Sequence, residues 1–181
     1  AISGGEDVPE PSEEKSWTGF PADAQKQLYI FNYMVKGFFK EAAAANPAPL
    51  GLKNKKGDFL HEASVKHRLD NWLFIEPRNL YPDTLIITPD GVIERPLRAR
   101  TMQGERIALV RSDYIKKGTV FNFRVLVLKD CPIDEKCLRV WLDYGAYKGL
   151  GQFRNGSYGT FSYTLQDSEK VEDNVKEKKK H

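Results

Sequence analysis

Cysteine is scarce in this sequence, with only Cys131 and Cys137 among its 181 residues. A zinc site needs four ligands, commonly in closely spaced pairs, and neither a histidine nor a further cysteine is near them in sequence. We therefore expect no metal site. Two cysteines in a chain of this size are typical of a reducing compartment, so the sequence predicts free thiols and a cytoplasmic location.

Long hydrophobic runs are also missing. No run approaches the roughly 18 apolar residues of a membrane span, and no signal-like segment opens the chain. We expect neither a membrane protein nor a secreted one, unless a signal was removed before Ala1. No internal repeat is visible, which excludes solenoids and propellers. The 40% of apolar residues is enough for the core of one domain.

Charge is unevenly distributed, although the whole chain carries only +3. Residues 1–16 contain one lysine and five acids, namely Glu6, Asp7, Glu10, Glu13 and Glu14. Residues 166–181 contain five residues of each sign, which leaves 22 basic and 15 acidic residues between 17 and 165, a net charge of +7. We expect an acidic disordered arm at 1–16, a single basic domain at 17–165 and a charged tail at 166–181.

Hydrophobic periodicity predicts two helices and several strands. One helix is expected from Pro21 to Ala45, ending before Pro47, and a second over residues 133–146. Strands are expected at 71–76, 84–88, 92–95, 106–110, 119–128 and 161–165, with a hairpin turn at 89–91. Strands before and after helices, without regular βαβ spacing, favour an α+β fold with an antiparallel sheet backed by helices.

The most informative segment is glycine-rich. Residues 145–159 contain five glycines, namely Gly145, Gly149, Gly151, Gly156 and Gly159. Such a density lets backbone amides approach a bulky partner and bind phosphate oxygens. The cations and aromatic rings among these glycines would hold phosphates and stack on bases: Lys148, Arg154, Tyr147, Phe153 and Tyr158. The alternative is a tight turn that lets the last strand pack closely, and composition alone does not decide between the two.

Two familiar phosphate loops do not fit this segment. The GxxxxGK[ST] pattern is absent, and a dinucleotide fingerprint should lie between a strand and the start of a helix. Here the glycines follow a predicted helix and precede a predicted strand, so no helix N-terminus faces the ligand. We therefore expect no cofactor, and an anion held by Lys148, Arg154 and loop amides.

The sequence LGQFRNGSYGTF, residues 150–161, resembles the glycine-rich loop of the RAMP superfamily, the CRISPR-associated RNA-binding proteins. The resemblance extends over about residues 71–165. It implies a ferredoxin-like, RRM-like antiparallel sheet, here with an added N-terminal helix, and a loop that joins the second core helix to the fourth core strand. The chain departs from the family in being shorter than most backbone subunits and in having no recognisable thumb-like insertion. The resemblance implies binding of single-stranded RNA as a subunit of a CRISPR-type or viral ribonucleoprotein.

A second basic cluster favours nucleic acid independently of the resemblance. Five arginines fall within seventeen residues opposed only by Glu105, and Arg98 and Arg100 among them share strand parity. The predicted RNA-binding residues are Lys148, Gly149, Gly151, Arg154, Asn155, Gly156, Tyr158, Gly159, Arg95, Arg98, Arg100, Arg106, Arg111, Lys53, Lys55 and Lys56. The alternative for the arginines is a solvated strand face.

The expected function is binding rather than catalysis. A rival hypothesis is a metal-independent endoribonuclease in which His67, beside Arg68 and Asp70, or His61 acts as general acid or base. A third is a structural subunit of a viral or other assembly. The expected partners are single-stranded RNA or DNA, together with further copies of the chain or other protein subunits.

Overall fold

The computed structural model describes residues 17–101 and 104–166, without the side chains of 17, 97–101, 104–108 and 155. The predicted acidic arm and nearly all of the predicted tail lie outside these ranges. The helices of the described part are α1 (Asn32–Ala45), α2 (Glu62–Trp72) and α3 (Glu135–Asp143). Its strands are β1 (Trp17–Thr18), β2 (Ile30–Phe31), β3 (Leu73–Glu76), β4 (Asn79–Leu80), β5 (Gly91–Thr101), β6 (Gly104–Tyr114) and β7 (Arg124–Val127).

The described strands form three small sheets. β5 and β6 make a long antiparallel hairpin, and β1 pairs with β6 in parallel. β2 pairs with β4 and β3 with β7, both antiparallel. These ladders confirm an α+β fold. A four-stranded sheet is not among the ladders of the described ranges, so the ferredoxin-like arrangement is not confirmed.

The core lies where α1 meets α2, α3 and β3. Its deeply buried members include Val35, Phe38, Phe39, Ala42, Val65, Leu69, Leu73 and Trp141. The indole Nε1 of Trp141 donates a hydrogen bond to the carbonyl of Asn46, 3.1 Å away, so this buried ring has no unpaired donor. α1 is therefore the central helix of the described part, and α2, α3 and β3 pack against it.

The structure corrects the predicted helices. α1 ends at Ala45 as predicted but begins at Asn32, not Pro21, because Leu28 and Ile30 are buried while Tyr29 and Phe31 are only partly covered. That alternation has the period of a strand, and β2 forms there. α2 was not predicted, since only Val65 and Leu69 on it are buried and its amphipathic pattern is weak.

α3 confirms the second predicted helix, and a 3₁₀ turn, Tyr144–Ala146, prolongs it to the predicted end. The side chain of Asp134 caps its start by accepting a hydrogen bond from the amide of Cys137, 2.8 Å away. This bond lowers the pKa of the Asp134 carboxyl below its ordinary value. Both cysteines are free thiols, as predicted. None of the helices within the described ranges is long and apolar enough to cross a membrane.

The predicted hairpin turn at 89–91 is wrong. β5 starts at Gly91 and pairs with β6 as far as Thr101 and Gly104, so the hairpin closes between these two residues. Residues 84–88 form no strand. The prediction failed because their apolar side chains have no sheet to cover, and Leu85 and Ile87 stay exposed.

Of the remaining predicted strands, one is confirmed, one is shorter than expected and one lacks a described ladder. Of residues 119–128 only β7 forms a ladder, and Phe121 adds an isolated bridge to Pro82. The predicted alternation is confirmed, because Phe121, Phe123, Val125 and Val127 pack on the core. Residues 106–110 lie in β6 as predicted. Residues 161–165 are outside any described ladder, although Phe161, Tyr163 and Leu165 pack on the core at alternate positions.

Candidate nucleic-acid interface

The base of the glycine-rich loop is closed by two glycines in direct backbone contact. The amide of Leu150 donates to the carbonyl of Gly159 at 2.9 Å. A Cβ on Gly149 would lie 2.0 Å from the carbonyl carbon of Gly159, and a Cβ on Gly159 would lie 2.1 Å from the carbonyl oxygen of Leu150. Gly149 and Gly159 therefore close the loop, which is the structural role that the sequence left as an alternative.

Above this base the loop turns back on itself around a short 3₁₀ turn, Arg154–Gly156. Phe153, on the N-terminal side of the turn, has a left-handed backbone with φ of 59°, and its ring is buried. Tyr158 packs edge-on against that ring at 6.2 Å between centroids and remains 45% exposed. Gly156 differs from the closing glycines, because the atom nearest to its hypothetical Cβ is 3.4 Å away.

Arg95 of β5 reaches this loop. Its guanidinium carbon lies 3.9 Å from the centroid of the Phe153 ring, a cation–π contact. Together with the loop residues Gly151, Gln152 and Arg154, Arg95 and Phe153 line an open pocket of about 320 Å³. The arginine cluster and the glycine-rich loop, predicted separately, thus meet in one site, which we call the Arg95 pocket.

A carboxylate that the sequence analysis missed faces the two cations of the loop. Arg154 Nη2 donates a hydrogen bond to Glu41 Oε1, and Lys148 Nζ lies 3.6 Å from Glu41 Oε2. Glu41 is on α1, one turn after Phe38, whose ring packs edge-on against Phe161. Because this packing joins residues far apart in sequence, no local pattern indicated that Glu41 would face the segment after α3. The three side chains leave a net charge of +1 beside the pocket.

Of the other hairpin arginines, Arg111 is described with its side chain and three are described by their backbone only. Arg111 Nε lies 3.3 Å from Glu94 Oε1, because these two residues are directly opposite each other in the ladder. The sequence analysis counted acids only within residues 95–111, where Glu105 is the single one, and Glu94 precedes that range by one residue. The backbone of Arg98, Arg100 and Arg106 is extended in the hairpin. Their side chains, like that of Asn155, are outside the described part of the chain.

The predicted lysine loop is a separate local turn. The side-chain oxygen of Asn54 accepts hydrogen bonds from the amides of Lys56 and Asp58, and Lys53 Nζ lies 5.6 Å from the centre of the Phe59 ring. Lys55 is exposed in the same turn. None of the contacts described for this turn involves the Arg95 pocket.

The pocket also touches the first described residues of the chain, a neighbour that the sequence did not indicate. Gln152 Nε2 donates to Thr18 Oγ1 at 3.2 Å. Thr18 belongs to β1, which is opposite Arg111 and Ser112 of β6. β1 therefore lies at the rim of the Arg95 pocket.

The histidines of the rival hypothesis have other surroundings. His61 caps α2, its Nδ1 accepting a hydrogen bond from the amide of Ala63 at 3.3 Å. His67 lines an open pocket of about 400 Å³ on the outer face of α2 with Ser64, Arg68, Asn71 and Trp72. Its suggested partner Asp70 instead forms an ion pair with Lys40 at 2.7 Å. Within the described ranges, no group of three or more His, Cys, Asp or Glu residues could hold a metal ion.

Comparison with protein-family models, with curated proteins and with solved structures finds no match for this chain. Its function is therefore argued from the geometry of the Arg95 pocket and from the resemblance of residues 150–161.

Proposed function

We propose that this protein binds single-stranded nucleic acid, RNA in the first place, with the Arg95 pocket at the centre of the site. The observation that carries the proposal is the position of the Arg95 guanidinium over the Phe153 ring, at 3.9 Å. A planar guanidinium held on a ring presents its N–H groups from a fixed position, which suits a phosphate. Its Nε is buried and has no described hydrogen-bond partner, so contact with a ligand falls to the terminal N–H groups of the guanidinium.

Exposed aromatic rings of the glycine-rich segment favour a single strand over a duplex. Tyr158 rests on Phe153 with 45% of its surface exposed, and Tyr147, four residues after α3 ends at Asp143, is 79% exposed. Unpaired bases stack on such rings with little dependence on sequence, whereas bases in a duplex are already stacked. The net charge of +7 over residues 17–165 would attract the phosphate backbone from a distance.

The RAMP-like part of the proposal is supported by the resemblance of residues 150–161 and by chain order. β7, α3 and the glycine-rich loop follow one another as strand, helix and loop, which is the order a ferredoxin-like core requires at this point. We extend the proposal to a RAMP-like subunit of a CRISPR-type or viral ribonucleoprotein, associated with further copies or other subunits. The free thiols support a cytoplasmic location.

Fluorescence anisotropy with labelled RNA, DNA and duplex strands of about 20 nucleotides tests the proposed function. We expect the single strands to bind more tightly than the duplex. The logarithm of the binding constant should fall linearly with the logarithm of salt concentration, by about 0.7 for each phosphate contact. The RNA should remain intact after incubation. Absence of binding at low salt would refute the proposal, and discrete fragments would favour the endoribonuclease.

Glu41→Gln should raise the affinity for single-stranded RNA by about threefold to tenfold, because it removes the carboxylate that Arg154 and Lys148 share. The same anisotropy titration measures it. Glu76→Gln is the matched control: it also removes one carboxylate, but from an exposed pair with Arg124 where β3 meets β7. Equal gains in both variants would mean that only net charge matters and that Glu41 has no local effect on the site.

A further inference from the structure

We infer that a nucleic-acid strand bound at the Arg95 pocket continues over the exposed face of α1, where its backbone crosses Gly37 and one of its bases stacks on Tyr33. The inference rests on the proposed function and extends its site by a second contact. The neighbours of Gly37 on the helix surface lie one turn away on either side, at positions i−4, i−3, i+3 and i+4: Tyr33, Met34, Lys40 and Glu41. We call Gly37 and these neighbours the Gly37 face.

Gly37 lies in the middle of a helix, where no contact of the described part explains a glycine. Glycine is less favourable there than alanine, because it loses more backbone freedom. Its backbone is helical, and no described atom lies within 4 Å of a Cβ built on it. It thus differs from Gly149 and Gly159, where a Cβ would overlap backbone atoms. The glycine leaves an open depression between Tyr33 and Lys40, about 10 Å long by the rise of the helix, over which a sugar–phosphate backbone can pass.

The ring of Tyr33 is held on one face and open on the other. It stacks on the ring of Phe31 with 5.1 Å between centroids and 17° between planes, and Tyr29 packs edge-on against Phe31 at 5.2 Å. Tyr33 is nevertheless 63% exposed, more than Tyr158 of the glycine-rich loop. Because the ring is already supported, an unpaired base can extend the stack of Phe31 and Tyr33 with little further ordering of side chains.

Positive charge is in excess on both sides of the Gly37 face. On one side Lys40 and Lys36 share the carboxylate of Asp70, at 2.7 Å and 3.9 Å. On the other side the two cations of the glycine-rich loop share Glu41. Each group of two cations and one carboxylate has a net charge of +1, so a phosphate backbone that crosses between them meets cations on both sides.

This face of α1 borders the Arg95 pocket directly. Gly151 lines the pocket, and a Cβ built on Gly151 would lie 4.0 Å from the terminal methyl carbon of Met34. Arg154, another lining residue, donates a hydrogen bond to Glu41. A strand that leaves the pocket here therefore passes directly onto α1. Continuity with the pocket, excess positive charge and an open ring together favour a single strand of nucleic acid over a protein as the occupant.

Tyr33→Leu should lower the affinity for a labelled oligouridylate of about 12 nucleotides by about tenfold, which is the effect of losing one stacked base. Tyr33→Phe keeps the ring and should bind as tightly as the unaltered chain. Fluorescence anisotropy measures both. Thermal unfolding should change little in either variant, because Tyr33 is outside the core cluster. A strand carrying 5-bromouridine should, on irradiation of the complex, form a crosslink to Tyr33 that mass spectrometry locates.

Gly37→Gln should also lower the affinity by about tenfold, because its side chain fills the depression and keeps the strand from the same stacked position. Its melting temperature should rise, since glutamine is a better helix former than glycine. Gly37→Ala is the matched control: it stabilises the helix as well, but its single methyl group leaves most of the depression open, so its affinity should be close to that of the unaltered chain. A gain in stability with a loss of affinity is not expected of a glycine with a purely structural role.

The outcomes separate the inference from the proposed function. If the unaltered chain binds the oligonucleotide and both Tyr33→Leu and Gly37→Gln bind it equally well, the inference is overturned and the proposed function stands. If no oligonucleotide binds the unaltered chain, both are overturned. An equal loss in Tyr33→Phe would assign the effect to the hydroxyl group and overturn the stack. If Tyr33→Leu instead abolishes a dimer of the nucleic-acid-free chain, seen by analytical ultracentrifugation, with RNA affinity unchanged, the face contacts a second copy and the inference is overturned.

Discussion

Gly149→Ala should lower the free energy of unfolding by about 3 kcal/mol, whereas Gly156→Ala should change it by less than about 0.5 kcal/mol. The added methyl group at position 149 would lie 2.0 Å from backbone carbon of Gly159, and a backbone cannot move aside as the end of a side chain can. At position 156 the nearest atoms belong to the side chains of Arg95 and Tyr158 and are 3.4 Å away, which is a van der Waals contact and not an overlap. Urea unfolding, followed by tryptophan fluorescence, measures both variants.

The two substitutions are matched in chemistry and lie in the same loop, so each controls the other. Gly159→Ala provides a second test of the closure, because it combines a left-handed φ of 69° with a 2.1 Å approach to the carbonyl of Leu150. It should therefore be at least as harmful as Gly149→Ala. If Gly149→Ala and Gly156→Ala unfold at the same urea concentration, the loop is not closed by the two glycines.

The parts of the fold that could be predicted from sequence are those with a strong local pattern. α3 has an acidic cap, one acid in its first turn and a defined apolar face, and it forms where expected. The end of α1 follows from the effect of Pro47 on the preceding residue. The alternation over residues 119–128 correctly predicted which side chains face the core, although only β7 forms a ladder.

The parts that could not be predicted depend on residues far apart in sequence. The turn signal at 89–91 is a genuine local pattern, but the long ladder between β5 and β6 outweighs it and moves the hairpin turn to a different position. Register then places Glu94 against Arg111, seventeen residues later. The sequence of residues 95–111 shows that an arginine cluster exists, but it does not show which arginines form ion pairs with carboxylates.

The candidate site also depends on contacts between residues far apart in sequence, so it could not be predicted as a whole. The sequence identified the glycine-rich loop and the arginines as two separate sets, and nothing local indicated that Arg95 would meet Phe153, 58 residues away. Nor did it indicate that Arg154 would bond to Glu41 across 113 residues. Composition and motif supplied the residue types suited to phosphate. The packing of the loop against α1 and β5 decides which of them share a site.

Arg95→Met should lower the affinity for single-stranded RNA by about 1.5–3 kcal/mol, or roughly tenfold to 150-fold, because it removes the guanidinium that the pocket holds over Phe153. Stability should not fall, since methionine retains the contact with the ring and the substitution also removes the buried, unpartnered Nε. Arg95→Lys keeps the charge but loses the planar group, so we expect an intermediate affinity. Anisotropy and thermal unfolding measure the two effects separately.

Arg124→Met is the control for this substitution, because Arg124 is an exposed arginine of β7 whose described ion pair, with Glu76, is outside the pocket. It removes the same charge and should weaken RNA binding only slightly, by the reduction in long-range attraction. If Arg95→Met and Arg124→Met weaken binding equally, the pocket has no special role and the basic domain binds through its net charge alone. If Arg95→Met binds RNA normally but unfolds at a lower temperature, Arg95 is a structural support for Phe153, and the nucleic-acid site must lie elsewhere.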